Sequence, residues 1–297
     1  MKTGIIGILN NPAISENSHS SGMVNIVKHL FDADILTEKD DWSQYEKLII
    51  YHGVNFKEGS FNIIGGLNDG VVKRAYMLQS FQGEVLTLDG FQLNQFGNKR
   101  KLNDFSSHKE FAKIKMPIKN KMVLGDSHSI SVWPGKEYGI FRNDGKTLHG
   151  FLKLNLDWSS YKHVIMYFGN IDLRFHLCRQ PDPVEATKDL FTRYCEYASR
   201  FNATITHLLP VEDESRVLPK TGQYKGQNFF GSMQQRKELR LIANKIMSSS
   251  GLQVIEWPGF FCDEKGELKF EIMEPRQSVH IKPKYYQTEL KKQLTLF

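Results

Sequence analysis

Short β-rich apolar runs alternate with segments of helical periodicity along most of this chain, in two blocks separated by a polar, basic stretch. No other feature constrains the fold as much. A strand, a helix that crosses back and a second strand of the same direction build a parallel sheet covered by helices. In the first block, TGIIGILN reads as a buried strand and SSGMVNIVKHLF as a helix with a serine cap. ADILT, KLIIYHGV and EVLTLDGF read as three more strands, with a helical NDGVVKRAYMLQSF between the last two. From about Gln95 the apolar rhythm lapses through NQFGNKRKLNDFSSHKEFAKIKMPIKNK, where the domain junction is expected. The second block restarts with MVLGDSHSISV and continues through the strands KEYGIFRNDG, HVIMYFGNI, TITHLLPV and QVIEWP. PVEATKDLFTRYCEYASRF and SMQQRKELRLIANKIMSSSG are its helices, the second stopped by Gly251. The expected organisation is a smaller Rossmann-like α/β domain over residues 1–96, a linker over 97–119 and a larger α/β domain over 120–297.

Composition narrows the class of protein. With 40% hydrophobic and 24% charged residues, the chain has the make-up of a globular protein rather than a disordered or fibrous one. It contains no run of about 18 apolar residues, so no membrane span and no membrane partner are expected. MKTGIIGILNNPA reads as a first strand and turn, not as a signal peptide. The cysteines Cys178, Cys195 and Cys262 are odd in number and share no metal-ligand spacing. They point to a reducing, cytoplasmic setting without a disulfide framework, and no metal or other cofactor is expected. The net charge of +6 falls largely within residues 121–297. A solvated basic surface accounts for such an excess, and so does an anionic substrate such as a nucleotide, a nucleic acid or an acidic glycan.

The segment Val123-Leu124-Gly125-Asp126-Ser127-His128-Ser129 carries the most chemistry. An apolar strand delivers a Gly-Asp-Ser turn, which holds a hydroxyl at the carboxyl edge of a parallel sheet, where open α/β sheets bind ligands. Three further segments follow in order: Arg142-Asn143-Asp144-Gly145-Lys146-Thr147-Leu148-His149-Gly150, Tyr167-Phe168-Gly169-Asn170-Ile171-Asp172 and Gln277-Ser278-Val279-His280-Ile281-Lys282-Pro283. Together they resemble the four sequence blocks of the SGNH (GDSL-like) hydrolases over residues 120–290. The resemblance implies a flavodoxin-like three-layer α/β/α fold and acyl transfer through a serine ester. It makes Ser127 the nucleophile and His280 its base. The backbone amides of Ser127 and Gly145 and the side-chain amide of Asn170 become the oxyanion hole, with Gly150 a competing choice for the second block.

Each of these roles makes chemical sense without the family. A serine hydroxyl is a poor nucleophile until a neighbouring base takes its proton, and fixed N–H donors stabilise the charge that develops in the tetrahedral intermediate. The chain departs from the family at Gln277, which stands three residues before the histidine where an aspartate is common. A glutamine carbonyl preserves the useful imidazole tautomer but supplies no charge. The reaction then proceeds as a slower dyad, or Glu274 or Asp263 supplies the carboxylate, or only ligand binding is retained.

Substrate contacts are expected from Asp126 and His128 beside the nucleophile, from Asp172, Arg174, His176 and Arg179 after the third block, and from Glu212, Asp213 and Arg216 at the start of a long excursion. The implied partner is a small-molecule or glycan ester, with a nucleic-acid-derived anion as a variant. A water acceptor and a hydroxyl acceptor both remain open, and the oligomeric state is not legible. The first block lacks the Gly-x-Gly-x-x-Gly and Gly-Lys-Ser patterns. YEKLIIYHGVNFKEGSFN looks faintly like the N-terminal half of bacteriophage DNA glucosyltransferases, which keeps a recognition or sugar-transfer role for residues 1–95 in view.

Overall fold

A computed structural model describes residues 2–7, 19–37, 39–51, 81–88, 112–114, 117–143, 145–212, 215, 226–274 and 279–286. The chain divides into two compact units, Met1–Ile118 and Lys119–Phe297.

The first unit holds β1 (Thr3–Gly7), α1 (His19–Phe31), β2 (Asp34–Leu36), β3 (Lys47–Tyr51), β4 (Glu84–Leu88) and β5 (Ala112–Ile114). Its strands form one parallel sheet in the order β2-β1-β3-β4-β5. Ile5, Ile6, Leu48 and Ile49 of the strands and Val24, Ile26 and Val27 of α1 are buried. β5 lies within the stretch read as a linker and pairs with β4, so the chain is still part of the first sheet there. The helix expected over residues 68–81 falls, apart from its last residue, outside the described residues.

The second unit runs through β6 (Lys121–Gly125), a 3-10 helix (Ser127–Val132), β7 (Tyr138–Arg142), α2 (Leu148–Leu152), β8 (His163–Tyr167), α3 (Asn170–Phe175), α4 (Pro183–Ser199), β9 (Ala203–Thr206), α5 (Met233–Ser248) and β10 (Gln253–Ile255). The strands are again all parallel, in the order β10-β9-β8-β6-β7. Counted within each unit, both sheets place the first strand between the second and third, which is the doubly wound, flavodoxin-like order. β7 and β9 are buried along their whole length, and β6 and β8 at all but their first residue. That explains why they read as continuous apolar runs instead of alternating ones. Helix boundaries follow the local chemistry. Asp182 caps α4 by accepting from the amides of Val184 and Glu185, with Pro183 as first helical residue. Ser232 and Gln235 form a capping box on α5.

This order sets the position of the site. β6 and β8 lie side by side, and the chain leaves β6 towards β7 and β8 towards β9, on opposite sides, opening a crevice at their carboxyl ends. Gly125 ends β6 in contact with its neighbours: a Cβ at this position lies 2.4 Å from the Tyr167 carbonyl oxygen and 2.6 Å from Ser129 Cβ. Only glycine lets the strand end that close to β8.

Candidate active site

Ser127 is the first residue of the 3-10 helix that follows β6, and the Asp126 carboxylate caps that turn by accepting from the His128 amide at 2.8 Å. Ser127 remains partly exposed, whereas Asp126, His128, Ser129 and Ser131 around it are buried. The His280 ring meets it from the far end of the chain: His280 Nε2 lies 2.7 Å from Ser127 Oγ, across a sequence separation of 153 residues. A neutral imidazole that accepts the serine proton at Nε2 carries its own proton on Nδ1. Nδ1 lies 3.6 Å from Glu274 Oε2, at ion-pair rather than hydrogen-bond distance.

A short antiparallel pairing brings Glu274 to this place. Met273 bridges Ile281, the Glu274 amide donates to the His280 carbonyl at 2.8 Å, and the Lys282 amide donates to the Ile272 carbonyl at 2.8 Å. Of the two carboxylates considered as substitutes for the missing aspartate, Glu274 is thus the one beside the imidazole. Asp263 instead closes its own turn, accepting from the amides of Lys265 and Glu267. Gln277 lies outside the described residues.

No protein-family model and no curated protein matches this sequence. Several solved structures are similar to it in fold. One, described as a platelet activating factor from Streptococcus pneumonia, shares 18% identity over 60% of this chain and 82% of its own, with a TM-score of 0.42. A second, described as a lipolytic protein of the G-D-S-L family from Desulfitobacterium hafniense, shares 14% over 60% and 99%, with a TM-score of 0.40. The psychrotrophic esterase EstA from Pseudoalteromonas sp., in a form inhibited by monoethylphosphonate, shares 15% over 60% and 95%, with a TM-score of 0.36.

The third block lies at the carboxyl end of β8. Gly169 adopts φ of 106° at the start of α3, with Phe191 and Leu208 packed against the position a side chain would fill. The turn buries Asn170, whose Oδ1 accepts from the Leu209 amide at 3.1 Å. Its Nδ2 has no well-formed hydrogen bond among the described residues, the Tyr167 hydroxyl being close enough only for a weak one. Gly145, with φ of 76°, follows β7 and precedes α2. Gly150, its competitor for the second block, is instead a residue of α2 whose amide donates to the Thr147 side chain.

Several residues expected to touch substrate are buried and engaged elsewhere. The Asp172 carboxylate accepts from the amides of Leu148 at 2.6 Å and His149 at 3.3 Å, tying α3 to the start of α2 and so to the loop carrying Gly145. Burial pushes its carboxyl up to about 7, against the pull of those two amides. His128 Nδ1 lies 2.9 Å from Asp126 Oδ1. Burial holds the His128 imidazole down at about 4, with the Arg174 guanidinium acting in the same sense and the Asp126 carboxylate opposing the shift. The Arg174 guanidinium is buried in an ion pair with the equally buried Glu212. His176 is half-buried, and its imidazole is held below the usual histidine range by burial and by Arg179. Arg179 is exposed and stacks over the Phe230 ring, 4.7 Å from its centroid. Asp213 and Arg216 lie outside the described residues. Among the described residues no three His, Cys, Asp or Glu side chains converge on a metal-sized site, the three cysteines are free, and no helix is long and apolar enough to cross a membrane.

Sequence reasoning placed no weight on the pairing around Met273 and Ile281. The signal available was a carboxylate within ten residues of a candidate histidine, and Glu274 meets it as Gln277 does not.

Proposed function

We propose that this protein is a serine-dependent acyl-transfer enzyme of the SGNH type, an esterase when water is the acceptor. The observation that carries this reading is the 2.7 Å contact between His280 Nε2 and Ser127 Oγ at the crevice of the second sheet. His280 takes the hydroxyl proton as Ser127 attacks the ester carbonyl, then returns it to the departing alkoxide. Glu274 favours the Nδ1–H tautomer and stabilises the imidazolium, as the aspartate does in a serine triad. The amides of Ser127 and Gly145 and the Asn170 side chain receive the oxyanion, each donor being worth about 3–4 kcal/mol in such sites. Water then attacks the acyl-serine with His280 as base, releasing the carboxylic acid and the free hydroxyl.

The substrate class that fits is a polar, O-acylated molecule, with an acylated glycan or nucleoside as the working choice. Arg174 is paired with Glu212 inside the protein, so among the described basic residues expected to meet an anion, His176 and Arg179 keep solvent access. The test is covalent labelling by a fluorophosphonate, compared between wild type and Ser127→Ala. Labelling of wild type alone, paralleled by hydrolysis of p-nitrophenyl acetate, is the expected result. Equal behaviour of the two proteins overturns the proposal.

A further inference from the structure

A buried chain of polar side chains runs directly behind the Ser127–His280 pair. It starts at Asp126, the residue before the serine, and ends on the carbonyl of Val279, the residue before the histidine. Asp126 Oδ1 meets His128 Nδ1 at 2.9 Å. His128 Nε2 lies 3.3 Å from Arg174 Nη1. Arg174 Nη2 donates to Glu212 Oε1 and reaches the Val279 carbonyl at 3.4 Å. The His128 and His280 rings lie 4.5 Å apart, centroid to centroid, at 45°.

Donors and acceptors fix the direction of this chain. A carboxylate only accepts, so His128 gives its Nδ1 proton to Asp126 and keeps a lone pair on Nε2. That lone pair accepts from Arg174, because a guanidinium only donates. Val279 O, 3.3 Å from the same Nε2, therefore receives its hydrogen bond from Arg174 and not from the ring. One planar fork thus serves a histidine, a carboxylate and a backbone carbonyl at once, a geometry that an ammonium does not reproduce.

Buried ion pairs are poor sources of net stability, and their best-attested use is to fix one arrangement over its alternatives. Here the arrangement is the meeting of two segments that the sequence keeps far apart. Resting on the esterase reading, we infer that Arg174 is a positioning residue: paired with Glu212, it holds the Val279 carbonyl and the His128 ring, and through them sets where the His280 imidazole stands relative to Ser127.

Two variants and one wild-type measurement test this. Arg174→Lys keeps the charge opposite Glu212 but loses the fork, and the double variant Arg174→Gln with Glu212→Gln removes both charges without leaving either one unpaired. In each, kcat for p-nitrophenyl acetate is expected to fall about 10–100-fold, as for other small misplacements of reacting groups, with KM little changed. The urea midpoint reports whether the fold is kept. A folded variant with wild-type kcat overturns the inference. Should both variants unfold, 15N NMR of histidine-labelled wild type decides: the expected signal for His128 is a neutral ring with its proton on Nδ1. A proton on Nε2 means that the ring itself serves Val279, and the inference fails. If wild type neither turns over ester nor takes up a fluorophosphonate, the esterase reading is what has failed, while the NMR result still judges the hydrogen-bond chain.

Discussion

Glu274 and His280 face each other across a short antiparallel pairing, the Glu274 amide donating to the His280 carbonyl at 2.8 Å and the carboxylate standing 3.6 Å from imidazole Nδ1. The carboxylate partner of the histidine is thus set by a pairing register and not by the three-residue spacing usual in proteins of this sequence pattern. Glu274→Gln is expected to lower ester turnover about 100-fold or more, since loss of the orienting acid in serine triads costs up to about 10⁴-fold. Gln277→Ala is expected to lower turnover less than Glu274→Gln, because a neutral amide supplies no charge to the imidazolium. Steady-state kinetics on both variants checks the pair, and the reverse ranking would return the role to Gln277.

The side-chain amide of Asn170 is held by its own oxygen. Oδ1 accepts from the Leu209 amide, which fixes the plane of the group and directs Nδ2 to the opposite side; in the proposed reaction that Nδ2 serves the oxyanion. Asn170→Ala should reduce kcat about 100-fold, with a smaller effect on KM, the pattern for a donor that binds the transition state more tightly than the substrate. Equal losses in kcat and in thermal stability would instead mark a packing residue.

Gly125 offers a test of the close approach of β6 and β8. In Gly125→Ala the new methyl meets the Tyr167 carbonyl oxygen, which belongs to the backbone of the neighbouring strand and has little room to move. A loss of about 1–3 kcal/mol in urea unfolding is expected, the usual range for overpacking.

His128 and Asp172 make opposite contributions to the pH dependence of stability. The His128 imidazole is lowered in the folded state to about 4, so between there and its unfolded value near 6.5 the unfolded chain binds the extra proton. Its contribution is complete above about 6.5 and is lost as pH falls towards 4, by about 3 kcal/mol. Asp172 is raised to about 7, so the folded state holds the extra proton and stability from this group is lost as pH rises from about 4 towards 7. The two slopes overlap and largely cancel in wild type. Urea titrations from pH 4 to 8 should show stability falling more steeply with rising pH in His128→Asn than in wild type. In Asp172→Asn stability should rise with pH over the same range. Parallel curves for all three proteins would mean that neither group titrates differently on folding.

Much of this was legible in the chain. The runs MVLG and VIMY are fully buried, and such runs are readable because a parallel sheet covered on both faces asks for apolar residues at nearly every position. The turn chemistry of Gly125, Asp126 and Ser127 was equally readable, since only a few residue types end a strand so abruptly. The stretch around residues 112–114 read as linker because three residues of strand carry too little periodicity to register.

The sequence by itself determined which chemical groups are present, in what order, and on which strand ends they fall, because local sterics and side-chain polarity act over a few residues. Tertiary structure alone decided which of those groups meet. It placed Glu274 rather than Asp263 at the imidazole, turned Asp172 inward to hold α2, and enclosed Arg174 with Glu212 where an anion-binding surface was expected. The reason is physical: a charged side chain near a crevice reads the same in sequence whether it faces solvent or a buried partner, and only the packing of distant segments determines which environment it enters.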